Sequence, residues 1–381
     1  MDLSPSHSEL RFRDEVRGWL AANVPIGLGS GDTREGFTRH VAWEKHLFAA
    51  GWSAVSWPKQ FGGREASLYE WLIFEEEYYR ARAPQRVTQN GIFLLAPSLF
   101  AFGTAEQQQR FLRPMAAAEV LWAQAWSEPG AGSDLAATRS RAEPAPGGWR
   151  LSGQKTWCTR GAFCDWIYGL FRTDPTSTRH HGLTYFLIPL AAPGITVRGV
   201  EKLDGDEGFA EVFLDDVFVP DADVLGKVGE GWKVAMATTG SERGLTLRSP
   251  GRFMATASRL LALWRAHGRP GQHAGAVIDA WIDADAYRCL TANTVTRMLA
   301  GQKLGAESSL NKIFWSEMDV RMHATALDVL GPGAELAGYS PEGDGWLKGW
   351  IFALAGPIYA GTNEIQRNVV AERVLGLPKA G

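Results

Sequence analysis

The sequence predicts an α+β protein with three domains: an N-terminal helical domain over residues 1–120, a middle antiparallel β-domain over 121–228, and a C-terminal four-helix bundle over 229–381. Two changes of pattern lead to this division. Apolar residues recur at helical spacing up to about residue 120, give way to short β-rich runs, and return to helical spacing after Gly231. A chain of 381 residues is long enough for two or three domains.

Five helices are predicted in the N-terminal domain from apolar periodicity and capping residues. Ser67 and Thr104 are the expected N-caps of two of them, because a short hydroxyl side chain accepts an N–H group of the first turn. The acidic run Glu75-Glu-Glu77 is interpreted as a solvated helix face rather than a metal site. The predicted helices are Ser8–Ala22, Phe37–Ala50, Leu68–Arg82, Asn90–Phe102 and Ala105–Met115.

Short β-rich runs separated by turn clusters predict the compact antiparallel β-domain. The predicted strands are Trp149–Ser152, Lys155–Cys158, Trp166–Arg172, Leu183–Pro189, Ile195–Val200 and Ala210–Val219.

Three long helices are clearest in the C-terminal domain: Gly231–Ser249, Ala274–Ala300 and Ser308–Leu330. Pro250-Gly251 is expected to kink or split the first of them. The other two carry apolar residues on more than one side, so one packing partner is insufficient and an oligomer with a shared helical core is expected.

Bulk composition excludes several function classes. A net charge of -3 and a pI near 6.3 give no strong field for nucleic acid. The three cysteines have no metal-ligand spacing and fit a reducing compartment. The most apolar run, Gly91–Phe102, contains Pro97 and is shorter than the roughly 20 residues that span a bilayer. We therefore expect a cytoplasmic enzyme without a metal and without a membrane segment.

Trp122-Ala-Gln-Ala-Trp-Ser-Glu-Pro-Gly-Ala-Gly-Ser-Asp134 is the stretch around which the chain is organised. Its first residues suit a strand, and its proline and glycines form a tight loop whose backbone can approach the face or the phosphate of a ligand. Taken alone, these glycines are more typical of an ordinary turn.

A second segment, Gly153-Gln-Lys-Thr-Trp-Cys-Thr159, follows shortly after that loop. With Phe213–Pro220, Gly229–Trp232 and Gly361–Asn368, the two segments resemble the acyl-CoA dehydrogenase family in its motif order over nearly the whole chain. The resemblance implies FAD as cofactor, an acyl-CoA substrate, electron-transfer flavoprotein or a similar acceptor, and either a homo-oligomer or an α2β2 hetero-oligomer.

The resemblance also implies roles for individual residues. Ser133 would border the pantetheine arm as well as the flavin, and the backbone N–H of Ala360 would bind the thioester carbonyl, with Gly361 and Arg243 on the substrate side. The implied flavin contacts are Gln124, Trp126, Ser127, Gly132, Ser133, Trp157, Thr159, Thr362 and Glu364.

Removal of an α-proton and a β-hydride requires a carboxylate base beside Cα. Many family members carry a glutamate directly before the Gly-Thr of the C-terminal motif, where this chain has Ala360. Isovaleryl-CoA dehydrogenase and many bacterial members instead carry it before an arginine on the first helix of the C-terminal domain. Ser241-Glu242-Arg243 matches that second arrangement, so the resemblance implies Glu242 as the base.

One part of the family pattern is missing. Leu263–Pro270 lacks the Phe-Gly and the glutamine that touch the adenosine diphosphate of a neighbouring subunit's flavin, and Leu330-Gly-Pro-Gly333 replaces the usual Gly-Gly-x-Gly loop.

Two alternatives stay open: a flavin oxidase or monooxygenase acting on a non-CoA substrate, and a partner subunit of an α2β2 enzyme.

Overall fold

A computed structural model describes residues 5–243, 249–302, 305–338 and 341–378; the side chains of residues 240–243, 341, 342 and 344 lie outside this description. Backbone contacts divide the chain into two compact units. The helical unit comprises Met1–Val24, Ser67–Ala83 and Arg243–Gly381, and the sheet unit comprises Pro25–Ala66 and Pro84–Glu242. The predicted boundaries at 120 and 228 follow the sequence and stay predictions.

The elements occur in the order helices, strands, helices. The α-helices are α1 His7–Asn23, α2 Arg34–Ala49, α3 Leu68–Arg80, α4 Ala96–Phe102, α5 Ala105–Ala116, α6 Gly231–Arg243, α7 Pro250–Ala266, α8 Ala274–Leu299, α9 Ser308–Leu330, α10 Pro341–Leu354 and α11 Asn363–Val369. The strands are β1 Trp122–Ala125, β2 Arg141–Ala145, β3 Gly148–Lys155, β4 Trp166–Arg172, β5 Leu183–Pro189, β6 Ile195–Val200, β7 Phe209–Pro220 and β8 Val224–Leu225. This succession confirms the predicted fold class.

The sheet unit contains one eight-stranded sheet in the order β6-β7-β3-β2-β4-β5-β8, and β1 pairs with β4. Its pairs are mainly antiparallel, as predicted, but β1 runs parallel to β4, with Gln124 opposite Tyr168. Two strands are predicted over 149–158, but the structure has one, β3, which ends at Lys155. The separate strand over Lys155–Cys158 was therefore wrong: Trp157 has a φ of +58°, which no extended strand adopts.

Helix starts follow the predicted capping residues. Ser67 and Thr104 accept the N–H groups of Glu70 and Gln107, and both caps are reciprocal capping boxes, which confirms them. Asn90–Leu95, predicted as part of an α-helix, is π-helical and continues into α4. Such π-helical insertions often occur beside functional sites. The first C-terminal helix is described to Arg243, and α7 begins at Pro250, where a break was expected.

The helical unit packs α1 and α3 with α7 to α11 around its own core. Phe253, Tyr287 and Trp315 lie at the centre of that core, where their rings contact one another. Helices α3 and α7 approach each other closely at Gly251. A Cβ atom at this position would lie only 2.8 Å from Cα of Glu76, so a residue without a side chain is needed there.

The solvated face predicted for Glu75–Glu77 is wrong. Glu75 is buried and Glu77 is 1% exposed. Three guanidinium groups, those of Arg13, Arg17 and Arg80, hold the Glu77 carboxylate. Burial acts to raise the pKa of Glu77, and the arginines outweigh it, so the pKa is lowered. Arg13 and Arg17 lie on α1, about 60 residues before Glu77, so the acidic run alone does not indicate these ion-pair partners.

A cavity of about 540 Å³ opens beside this charge cluster, between residues of α1, α3, α7 and α8. Its lining contains none of the site residues predicted from the sequence. In the part of the chain that the structure describes, no helix is long and apolar enough to cross a bilayer. The same residues hold no cluster of three His, Cys, Asp or Glu side chains able to bind a metal ion.

Candidate functional site

Three side-chain donors just before the loop that begins at Glu128, the Glu128 loop, are buried without a hydrogen-bond partner among the described residues. They are Nε1 of Trp122 and Nε2 of Gln124, on β1, and Nε1 of Trp126, directly after β1. The Trp126 ring stands edge-on to Tyr185. Buried polar groups in folded proteins are almost always paired, so the two unpaired donors nearest the loop in sequence, on Gln124 and Trp126, point to a ligand with acceptor atoms.

The Glu128 loop begins with a tight turn. Glu128 and Ala131 exchange two backbone hydrogen bonds of 3.0 Å each, and the Ser127 carbonyl accepts the N–H of Thr156 at 2.9 Å. Beyond the turn, Gly132 and Ser133 are exposed, and a Cβ atom on Gly132 would meet nothing within 4 Å. A ligand can therefore approach the backbone here, as the sequence predicted.

Trp157 and Thr159 lie in the segment that follows β3, not on a strand. Trp157 is 60% exposed, and its ring stands edge-on to Phe209. The carbonyl of Thr159 accepts a hydrogen bond from Asn90 at 3.3 Å, and the Asn90 carbonyl accepts one from Tyr168 at 3.1 Å. The first π-helical turn thus supports the Thr159 backbone and leaves the Trp157 ring open.

Arg160 connects this segment to the loop before α2. Its Nε atom donates to Asp32 at 2.7 Å, and Lys202 donates to the other oxygen of Asp32 at 2.7 Å. Burial acts to raise the pKa of Asp32, and the two cations outweigh it, so the pKa is lowered. Sequence reasoning did not select Arg160, although its position directly after the Trp157–Thr159 pair was a usable signal.

Lys155 and Glu128 were also missed as a pair. Nζ of Lys155 lies 2.7 Å from Oε1 of Glu128, and the lysine is fully buried. Both residues stand inside motifs that the sequence singled out. A lysine inside a recognised motif was the available signal, but its partner could be found only once the fold brought the end of β3 to the start of the Glu128 loop.

In the helical unit, Ala360 and Gly361 form a left-handed turn with φ values of +57° and +80°. The buried Gln366 donates from Nε2 to both of their carbonyls at 3.2 Å. Thr362 caps α11 by accepting the N–H of Ile365, and Glu364 is exposed in the first turn. Hydrogen bonding at this helix start, first from its own backbone N–H, lowers the pKa of Glu364.

Asn363 anchors this C-terminal loop to α9. Its Oδ1 accepts from Lys312 at 2.8 Å and from Ser316 at 3.2 Å, and its Nδ2 donates to Glu317 at 3.1 Å. Asn363 and Lys312 are both buried. The sequence indicated the loop but not the residues of α9 that hold it.

Glu242 and Arg243 occupy the last described turn of α6. Their side chains lie outside the described residues. The predicted sites otherwise fall into two groups. Gln124, Trp126, Ser127, Gly132, Ser133, Trp157 and Thr159 belong to the sheet unit, whereas Ala360, Gly361, Thr362 and Glu364 belong to the helical unit.

Three domain descriptions match the chain in order. "Acyl-CoA dehydrogenase, N-terminal domain" matches residues 6–119, the middle domain matches 123–217, and the C-terminal domain matches 229–375. The chain belongs to the acyl-CoA dehydrogenase family. It is therefore an oxidoreductase, and the resemblance inferred from the motifs is confirmed.

This acyl-CoA dehydrogenase is similar to acyl-CoA dehydrogenase IpdE1 of Mycobacterium tuberculosis, with 40% identity over 97% of both chains. It is 39% identical to IpdE1 of Mycolicibacterium smegmatis, again over 97% of both chains. Among solved structures, the ChsE4-ChsE5 complex from Mycobacterium tuberculosis matches with a TM-score of 0.85 and 26% identity over the whole of both chains. The Tcur3481-Tcur3483 steroid ACAD matches with a TM-score of 0.87 and 24% identity over the whole of both chains.

FAD is the cofactor typical of this family, and the sheet unit provides groups that suit it. The two unpaired donors, on Gln124 and Trp126, can serve the acceptor atoms of a flavin ring. The exposed Trp157 offers an aromatic face, and Gly132 leaves its backbone accessible. The residues present therefore fit the group that the family implies.

Proposed function

We propose that this protein catalyses the FAD-dependent α,β-dehydrogenation of an acyl-CoA thioester to the trans-2-enoyl-CoA. The observation that carries the proposal is the pair of buried, unpaired donors on Gln124 and Trp126 in the family's flavin-binding segment. Bound FAD would supply the hydride acceptor. By the family resemblance, the further flavin contacts are Ser127, Gly132, Ser133, Thr159, Thr362 and Glu364.

The protein's own part in the reaction is to bind, orient and move a proton. We assign the base to Glu242, which takes the proton from the substrate Cα. The backbone N–H of Ala360 hydrogen-bonds the thioester carbonyl, where negative charge develops as that proton leaves. Gly361 keeps this turn open, Ser133 borders the pantetheine arm, and Arg243 stands on the substrate side. The left-handed turn at Ala360 supports this role, because Gln366 holds the carbonyls of Ala360 and Gly361 and so restrains the backbone that directly follows this N–H.

The substrate class to test first is a CoA thioester with a bulky polycyclic acyl group. The name of one structural neighbour, a steroid ACAD, motivates that choice. A panel that runs from short linear to polycyclic acyl-CoA thioesters, assayed with an artificial electron acceptor, measures the preference. Turnover of CoA thioesters without a requirement for oxygen supports the dehydrogenase. Oxygen-dependent turnover of a non-CoA substrate alone contradicts it and favours the oxidase or monooxygenase alternative.

We further propose an α2β2 assembly, with a homo-oligomer as the alternative, in which α8 packs against another subunit. Ile278, Trp281 and Ile282 lie within one stripe of α8, and Trp281 and Ile282 are 39% and 57% exposed. Two structural neighbours are named as two-component proteins, ChsE4-ChsE5 and Tcur3481-Tcur3483. A partner surface on this stripe would remove large apolar side chains from water.

Trp281→Glu should weaken this assembly, because it places a charge in an apolar contact. Light scattering of the purified protein should show a smaller particle than wild type at the same micromolar concentration. Leu203→Glu is the matched control: Leu203 is 88% exposed in the sheet unit, and the variant should keep the wild-type particle. A wild-type protein that is monomeric when purified alone and assembles only with a second chain supports α2β2, whereas self-assembly supports the homo-oligomer. A monomer under both conditions contradicts the proposal.

A further inference from the structure

The Lys155–Glu128 pair is a deeply buried ion pair beside the candidate cofactor site. The side chain of Lys155 is fully buried, that of Glu128 is 8% exposed, and the ammonium and the carboxylate are 2.7 Å apart. The ammonium also lies 4.6 Å from the centre of the Phe171 ring. The proposed chemistry uses neither charge, so the pair needs another explanation.

The contacts of the carboxylate show what the pair holds. Oε2 of Glu128 accepts the backbone N–H of Arg139 at 2.8 Å, and Oε1 accepts that of Ser140 at 3.0 Å. Glu128 opens the loop and Ser140 directly precedes β2. One side chain therefore closes the two ends of segment 128–140 onto each other.

The contacts of the ammonium fix that closure to the sheet. Nζ of Lys155 donates to the carbonyl of Leu170, on β4, at 2.7 Å, and lies 3.5 Å from the carbonyl of Trp126. Lys155 itself is the last residue of β3. Lys155 therefore connects the base of the loop to three strands: the end of β1, the end of β3 and β4.

Each charge of the pair opposes the effect of burial on the pKa of the other. Burial acts to raise the pKa of Glu128, and the neighbouring Lys155 outweighs it, so the pKa is lowered. Burial lowers the pKa of Lys155, while Glu128 opposes that change. Apolar residues often replace a buried ion pair without loss of stability. An apolar pair, however, could not accept the two N–H groups at the end of the loop.

We propose that Glu128 and Lys155 are positioning residues that lock segment 128–140, and with it Gly132 and Ser133, in the conformation that receives the cofactor. The identity of the ligand rests on the proposed function; the locking of the loop does not. Preorganisation of this kind strengthens binding by lowering the ordering cost paid when the ligand arrives.

The test compares the double variant Glu128→Leu/Lys155→Met with Arg141→Met/Glu143→Leu. The latter removes a pair on β2 that is 65% and 67% exposed, and it serves as the matched control. Hydrogen exchange is measured by mass spectrometry on the full chain, with and without added FAD, together with the unfolding temperature. FAD affinity is measured separately by flavin fluorescence.

In the double variant without FAD, we expect amides of segment 128–140 to exchange about tenfold faster or more, because the N–H groups of Arg139 and Ser140 lose their acceptors and the loop opens. Exchange over β5 should stay close to wild type. FAD affinity should fall about tenfold or more. Lys155→Met alone should unfold at a lower temperature than the double variant, since it leaves a buried carboxylate without its cation.

Wild-type exchange over 128–140 in the double variant would overturn the proposal. So would faster exchange spread evenly over the whole sheet with a lower unfolding temperature, which is the result for a pair that only stabilises the fold. If the double variant does not fold, Glu128→Gln decides: Arg139 and Ser140 donate to different carboxylate oxygens, and the NH2 group that replaces one oxygen cannot accept an N–H group, so wild-type loop exchange there also overturns the proposal. Loop locking without any FAD binding would refute the proposed cofactor and leave the lock intact.

Discussion

The two loops that carry most of the predicted site residues are held by different anchors. The Glu128 loop is closed by an ion pair whose members are 27 residues apart, and both lie within recognised motifs. The loop Ala360–Glu364 is held through Asn363 by Lys312, 51 residues earlier on α9. In both loops, a residue inside the motif faces the protein and meets a buried lysine. A motif therefore contains anchoring residues as well as residues for the ligand.

The comparison also indicates where a base does not lie. In the first loop, the Glu128 carboxylate is committed to Lys155 and two backbone N–H groups. In the second, Ala360 occupies the position where many family members carry the glutamate. Neither position therefore offers a base, and this supports the proposed assignment to Glu242 on α6.

The largest expected effect follows from that assignment. Glu242→Gln keeps the size of the side chain and removes the base, so the rate of flavin reduction by an acyl-CoA substrate should fall roughly 10²–10⁴-fold. Stopped-flow absorbance measures that rate, and FAD and acyl-CoA should still bind. Adding Ala360→Glu to this variant should restore part of the rate, because the family uses both positions. A wild-type rate in Glu242→Gln would place the base elsewhere.

The next effect concerns the anchor of the second loop. Asn363→Leu removes hydrogen bonds to Lys312, Ser316 and Glu317 and should cost about 2–4 kcal/mol of unfolding free energy, since a buried ammonium loses an acceptor. Urea unfolding measures it. Glu143→Gln, at an exposed position on β2, should change the free energy by no more than about 0.5 kcal/mol. An equal change in both variants would show that Asn363 is not an anchor.

Acid should loosen the first loop through Glu128. Because its folded-state pKa is lowered from 4.5, its stabilising contribution is complete above that unfolded-state value and is lost as pH falls through the folded-state pKa. Unfolding temperatures measured between about pH 3 and pH 7 should therefore fall less steeply below about pH 4.5 in Glu128→Gln than in wild type. Glu143→Gln should follow the wild-type slope. Identical slopes in all three proteins would mean that Glu128 does not contribute to acid unfolding.

The smallest expected effect is that of Gln366→Leu in the second loop. It removes the two hydrogen bonds that fix the carbonyls of Ala360 and Gly361, at a cost of about 1 kcal/mol in stability. A less rigid turn should displace the neighbouring N–H of Ala360 and lower kcat about tenfold with little change in KM. Steady-state kinetics separates these parameters. A rise in KM at constant kcat would instead assign this turn to substrate binding.

Sequence reasoning was most successful where the signal is local. Ser67 and Thr104 cap the predicted helices, and α9 has the predicted bounds, because caps and periodicity depend on neighbouring residues. It is wrong where the ion-pair partners are distant in sequence. The prediction of a solvated face for Glu75–Glu77 fails because Arg13 and Arg17 of α1 form ion pairs with Glu77.

The same limit applies to the site. The motifs indicated both loops, and the structure adds their anchors, Lys155 in one and Lys312 with Gln366 in the other. No local pattern distinguishes a buried lysine that holds a loop from an exposed one, because the difference lies in the acceptors that the fold brings to it. The roles assigned to Glu242, Ala360 and the flavin contacts stay predictions.

The visible spectrum of the purified protein during addition of acyl-CoA thioesters tests the central claim most directly. We expect oxidised-flavin absorbance in the protein as isolated or after addition of FAD, and its bleaching under anaerobic conditions by at least one thioester. Glu242→Gln should keep the absorbance and lose the bleaching. A protein that binds no flavin, or a bound flavin that no acyl-CoA thioester bleaches while Glu242→Gln behaves like wild type, would contradict the account.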